Sequence, residues 1–303
     1  MFGLSSHHAE LFMAHLVSGV IAVVAVTTRI CVKMKTKQGI RADDMFILLT
    51  LLFYYGAIAT LFTNFRQSHV DDIEVTAKEE YLVPSTVYRK AMFAAITLAM
   101  TAQYTCKISI LLFYRHIFFA SDFHRDVSLG LMAFTSTWLI SAIVALLRIC
   151  RPLKLVWLPE EQHDGAKCGN WVAMVFSVLL VDVLTDVAIL LLPIRTAFTL
   201  QMPLRAKIGV ASIFALGGFV IVTSALRMEL VDPREIYFHR AELWTTIHLC
   251  TAILCASVPI YKPLWTFIST EIRRRVMGVL LRPEKDDEDA VQLSKAASVG
   301  HDR

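Results

Sequence analysis

Residues 171–194 read WVAMVFSVLLVDVLTDVAILLLPI. A helix needs roughly 20 apolar residues to cross the hydrocarbon core of a bilayer, and this stretch supplies them. It is interrupted only by Ser177, Asp182, Thr185 and Asp186 before Pro193. The solvent for such a run is lipid, and a carboxylate inside it is costly to place. Asp182 and Asp186 stand four residues apart, so a helix sets both on one face. The fold follows from the apolar length, and the functional question from what those two acids meet.

Six more runs of the same kind flank this one, at 9–32, 44–65, 91–118, 127–150, 206–230 and 241–268. Together they predict an all-α, polytopic membrane protein, a seven-transmembrane-helix bundle over 9–268. A short segment, 1–8, precedes it. A basic and then polar tail, 269–303, follows and reads as disordered because it lacks apolar periodicity. The composition agrees: 56% of the 303 residues are hydrophobic, against about 45–50% in soluble domains. Mean hydropathy is +0.56. The loops at 66–90 and 151–170 are too short to fold alone. A net charge of +4 gives no case for nucleic acid; the partner the composition implies is a lipid bilayer.

Charge asymmetry predicts the orientation. No Lys or Arg precedes the first run, whereas Arg29, Lys33, Lys35, Lys37 and Arg41 follow it. Arg125, Arg195, Arg205, Arg273, Arg274 and Arg275 continue the same side, while Asp71, Asp72, Glu74, Glu160 and Glu161 lie on the other. The positive-inside rule then places the N-terminus outside and the C-terminus in the cytoplasm, with no cleaved signal needed. Which cellular membrane is used is not readable. Pro193, Pro259 and Pro263 stand where spans stop or kink. Gly217-Gly218 supplies small residues for close helix approach.

Six cysteines are present, and only Cys150 and Cys168 flank one outer loop. An oxidising outer face would preserve a disulfide there. It would close a loop of about 19 residues, worth roughly 3 kcal/mol in the chain-entropy model. The alternative is two free thiols. No histidine–cysteine spacing suits zinc, so no metal is expected.

The ionisable residues inside the runs fall into three groups. Lys107 and Asp186 share a depth and predict an ion pair, with Asp182 beside them. Nearer the outer face are Arg148, Arg227, Glu229, Glu242 and His248, which could line a pocket. At the inner face lie Arg29, after the first span, and Asp43 and Asp44, before the second, acids that favour a helix N-terminus and suit pairing with the basic inner loop. Each group admits a structural reading, as helix-locking ion pairs. Asp182 resists it most, because no second basic residue falls at its depth.

The motifs also resemble an ordered set. Arg29 with Arg41-Ala-Asp43-Asp44 is followed by Lys107-Ile-Ser109 through Tyr114-Arg115. Then come Cys150-Arg-Pro152 with Trp157 and Cys168, and Asp182-Val-Leu-Thr185-Asp186 with Leu192-Pro193. Ser224-Ala-Leu-Arg227, Glu242 and Cys255-Ala-Ser-Val-Pro259 complete it. In this the chain resembles the fungal rhodopsin-like integral membrane family, the satratoxin-cluster membrane protein type, over about residues 15–268. One departure is Asp182, where that family commonly has Asn. Retinal is not expected despite the name: a Schiff-base lysine should lie deep in the last span, and Lys262 sits near its inner end. The triplet Tyr114-Arg115-His116 is also not the receptor-type acidic–Arg–aromatic element. The outer cysteine-rich domain of receptor relatives is not expected ahead of the first span.

The resemblance implies a membrane component of secondary-metabolite biosynthesis. The residues permit a cofactor-free acid/base isomerase or cyclase acting on a lipophilic intermediate, with Asp182, Asp186 and Lys107 as candidate catalytic groups. No haem, flavin or iron–sulfur motif is present, so no cofactor is expected. The alternative is a seven-helix sensor or receptor. A transporter is the weaker third reading, since no inverted halves are detectable.

Overall fold

The computed structural model describes residues 6–37, 39–75, 86–117, 122–158, 167–193, 204–230 and 238–258. Seven long helices fill these segments: α1 (Ser6–Lys35), α2 (Ala42–Val75), α3 (Thr86–Ile117), α4 (Asp122–Leu147), α5 (Trp171–Leu191), α6 (Leu204–Glu229) and α7 (Phe238–Ser257). They match the seven apolar runs one for one. Five contain stretches long and apolar enough to cross a membrane: Leu11–Lys35, Ala42–Phe62, Arg89–His116, Phe123–Leu147 and Trp171–Leu191. The protein is an all-α polytopic membrane protein. Of the short segment expected at 1–8, residues 1–5 lie outside the described residues, as do the last span beyond 258, the tail 269–303, and with them Pro259, Lys262, Pro263 and Arg273–Arg275.

Each helix packs on its neighbour in sequence, and α7 closes the ring by packing on α1. The third helix, α3, also touches α5 and α7, which sets it inside the ring. Polarity is distributed as hydrocarbon requires. Val20, Val24, Leu52, Ile140 and Leu184 are exposed on the outside, while Arg29, Lys107, Asp182 and His248 are buried. Between them lies an apolar centre of Ala22, Val26, Ile47, Tyr54, Ala102, Leu249 and Ile253.

Local chemistry sets the helix ends. Asn170 caps α5, its side chain accepting from the Ala173 N–H at 3.1 Å, which satisfies one of the orphan donors of a first turn. Two residues after its last turn comes Pro193, which lacks the N–H to continue. At the end of α1, Lys37 (φ 56°) and Gly39 (φ 72°) take left-handed backbone, and Asp43 and Asp44 open the first turn of α2. A short antiparallel pair, β1 (Cys150–Arg151) with β2 (Lys167–Cys168), joins α4 to α5. Cys150 and Cys168 face each other in it and form the disulfide. The 3-10 turn Leu153–Val156 after β1 brings Trp157 edge-on to Phe93 of α3, 6.2 Å between ring centres. This disulfide end therefore carries the starts of α1, α3, α5 and α7, and the Arg29 end lies opposite.

Candidate functional site

At mid-bundle Lys107 of α3 reaches α5. Its Nζ donates to Asp182 Oδ1 at 2.6 Å, to the Asp182 carbonyl at 2.8 Å and to Thr185 Oγ1 at 2.7 Å, and it lies 3.0 Å from Asp186 Oδ1. Lys107 thus meets the expected Asp186 and, at shorter range, Asp182. Arg227 of α6 takes the other Asp182 oxygen at 3.3 Å. This corrects the expectation that Asp182 has no base at its depth. The reason is register: Arg227 is near the end of α6, and α6 runs antiparallel to α5, so the last turn of one reaches the middle of the other.

The remaining members come from α6 and α7. Ser224 donates to Asp186 Oδ2 at 3.0 Å. His248 has its Nδ1 3.1 Å from Thr223 Oγ1 and 3.2 Å from Ser224 Oγ, with Nε2 3.7 Å from Asp182 Oδ2. Side-chain exposure is only 4% for Lys107 and 2% for Asp182. Two bases and two acids balance, which is the condition for keeping charges buried. Asp182, Asp186 and His248 present ligand atoms within 4.8 Å of one another, spacing that would suit a metal ion. The Lys107 ammonium already bridges both carboxylates there.

A second balanced cluster lies at the Arg29 end. Arg29 donates to Asp43 and, at 3.0 Å, to Asp44. Lys33 bonds Asp43 and Asp44, each at 2.6 Å. Arg29 also donates to the Ala256 carbonyl of α7, and Ser109 of α3 to the Asp43 carbonyl at 2.7 Å. The cluster therefore ties α1, α2, α3 and α7 together.

Towards the disulfide end the bundle opens into a cavity of about 200 Å³. Its walls are largely apolar, with Ile58, Met92, Ile96, Val175 and Leu249 among them, and Trp171 also lines it. Besides the Tyr54 hydroxyl, which is bonded to Ser18 at 2.7 Å, polar groups among the described residues enter at two places. At one, Gln103 and Arg227 line it together. With its amide oriented to suit its neighbours, the Gln103 oxygen accepts from Arg227 NH1 at 2.6 Å and NH2 at 3.2 Å. At the other, His15 of α1 has Nε2 3.2 Å from Glu242 Oε1 and Nδ1 2.8 Å from Thr246 Oγ1. A smaller cavity of about 40 Å³ lies beside Lys107, Asp186 and His248.

The five residues expected to line a pocket therefore part company. Arg227 and Glu242 line the large cavity. His248 joins the Lys107 cluster and lines the small one. Arg148 and Glu229 are exposed and line neither. His15 was not anticipated. Its signal is the stripe His15, Ser18, Ala22, Ala25, Val26, Arg29, all buried, which repeats at helical spacing and marks the inward face of α1.

Comparison with known proteins gives a consistent family. The model of the fungal rhodopsin domain matches residues 28–267. The receptor GIN3 of Arthrobotrys oligospora is 27% identical over 81% of this chain and 59% of its own length. Wortmanamides biosynthesis cluster protein C of Talaromyces wortmannii is 23% identical over 83% of this chain and 69% of its own. The polyenoic acids biosynthesis gene cluster protein Ba17b of Metarhizium anisopliae is 21% identical, covering 86% and 74%. The chain thus spans less than two thirds of the receptor's length. No solved structure gives a significant match.

Proposed function

The chain belongs to the fungal rhodopsin domain family, and on that premise we propose that it is a membrane component of a secondary-metabolite pathway. In this reading it binds a lipophilic intermediate in the large cavity and isomerises or cyclises it by proton transfer, without a cofactor. The observation that carries the reading is the cavity itself: about 200 Å³ of mostly apolar space inside the bundle, with charged side chains entering, among the described residues, at Arg227 and at Glu242 beside His15. Such a lining suits a small lipophilic molecule oriented by few contacts. An apolar cavity of about 150 Å³ accommodates benzene, so a mono- or bicyclic body, or one end of a longer chain, is the matching size. Two relatives named for biosynthesis clusters agree with it.

Where the proton chemistry sits follows from access. Asp182, Asp186 and Lys107 do not line the large cavity, and their charges are committed to one another. They act here as the lock beneath it. Glu242 lines the cavity together with its partner His15, and is the carboxylate within reach.

A sensor reading has one observation in its favour besides the receptor relative. Arg227 lines the cavity and also holds Asp182, so a ligand that displaced it would loosen the contact between α5 and α6. Deleting the gene in the producing fungus and profiling metabolites separates the two. Accumulation of an unmodified precursor is the expected result. An unchanged metabolite profile with an altered response to an external compound would replace the biosynthetic reading with the sensor. The charge pattern supports a cavity mouth on the outer side of the membrane.

A further inference from the structure

The two polar places on the cavity wall are chemically unlike. Gln103 and Arg227 offer donors: the Gln103 oxygen is occupied by Arg227, and a guanidinium has no acceptor. A ligand group seated there must accept hydrogen bonds. It must also be neutral on arrival, because Arg227 and Lys107 are already balanced by Asp182 and Asp186, and a further buried anion would be uncompensated. A carbonyl oxygen meets both conditions.

Glu242 offers the opposite character. One carboxylate oxygen is held by His15, and its second has no partner among the described residues. The His15 ring is held in turn by Thr246. With Nε2 protonated towards Glu242, the Thr246 hydroxyl donates to Nδ1, which fixes tautomer and ring together. His15 is therefore a positioning residue, and Glu242 is the base that faces the cavity.

Resting on the small-molecule reading above, we infer that the cavity takes a lipophilic carbonyl compound with an acidic C–H beside the carbonyl, such as a β,γ-unsaturated ketone. The ketone oxygen sits on Gln103 and Arg227. Glu242 removes the α-proton; the C–H electron pair becomes a carbon–carbon double bond, and the carbonyl π pair moves onto oxygen. The enolate charge then appears where Arg227 and Gln103 donate, stabilisation realised only as the charge develops. The Glu242 carboxylic acid returns the proton to the γ-carbon. The double bond has migrated, nothing is oxidised or reduced, and Glu242 is again a carboxylate.

The half-reaction can be read without the natural substrate. The full chain, purified in detergent, is incubated with 1-tetralone in deuterated buffer, and deuterium at C2 is followed by mass spectrometry. Binding is read in parallel by saturable quenching of tryptophan fluorescence, Trp171 being in the cavity wall, with Ala99→Phe as the filled-cavity control. The expected result is exchange at least 100-fold faster in the wild type than in Glu242→Gln, the low end of general-base contributions. His15→Ala should lose most of it, and His15→Gln, which keeps a donor at the Nε2 position, should restore it. Saturable binding with equal exchange in the wild type and Glu242→Gln overturns the proton-transfer inference and leaves the binding reading standing. No saturable binding, or binding undiminished in Ala99→Phe, overturns both.

Discussion

In the Lys107 cluster every carboxylate oxygen is held: those of Asp182 by Lys107 and Arg227, those of Asp186 by Lys107 and Ser224. On the cavity wall nearer the disulfide, Glu242 has one oxygen held, by a single histidine. Both regions hold acids inside the same bundle. The difference shows where the structure invests in rigidity and where it leaves a group able to change its proton. A saturated carboxylate is fixed by its partners, whereas a half-satisfied one beside an apolar cavity has a coordination position to give.

Breaking the saturated region should cost most. Lys107→Met leaves Asp182 and Asp186 facing each other with one base, Arg227, between two acids. The expected loss is about 3–5 kcal/mol, the range for removing one partner of a buried pair, read as a collapse of thermal unfolding temperature in detergent. A loss under about 1 kcal/mol would erase the contrast drawn above. Removing the disulfide comes next. Cys168→Ser should cost about 2–4 kcal/mol, and adding reductant to the wild type should reproduce it while leaving the variant unchanged.

Much of this was legible in the sequence. Seven apolar runs gave seven helices, and the shared depth of Lys107 and Asp186 gave their contact, because both follow from counting residues along a helix. The bond from Lys107 to Asp182 and the arrival of Arg227 depend on how α3, α5 and α6 are rotated and shifted against one another, which no count along one helix contains. Arg148 and Glu229 illustrate the same gap: both are exposed and line neither cavity described above, which their depth along a helix does not reveal. His15 was missed because a lone histidine near the start of an apolar run carries no signal until the buried stripe on α1 is seen as a unit.

Two smaller effects sharpen the comparison. A Cβ on Gly217 would stand 2.5 Å from Leu190 Cδ1, so an alanine there requires the Leu190 side chain on α5 to turn aside. Gly217→Ala should cost about 1–3 kcal/mol as overpacking, and Leu190→Ala in the same chain should recover part of it. If the single change is neutral, the contact between α5 and α6 is looser than the saturated cluster beside it requires. Smallest of all, Glu242→Gln should change stability by less than about 1 kcal/mol, since an amide oxygen still accepts from His15. A large loss there would make the cavity wall as structural as the cluster.

The arithmetic of the two clusters has an electrical consequence. Arg29 and Lys33 cancel Asp43 and Asp44, and Lys107 and Arg227 cancel Asp182 and Asp186. Moving one elementary charge through a potential of 100 mV is worth about 2.3 kcal/mol, but a group of zero sum that shifts as a body moves none. Rearrangements that keep either cluster whole should therefore carry no gating current from these eight groups, whatever the potential across the membrane.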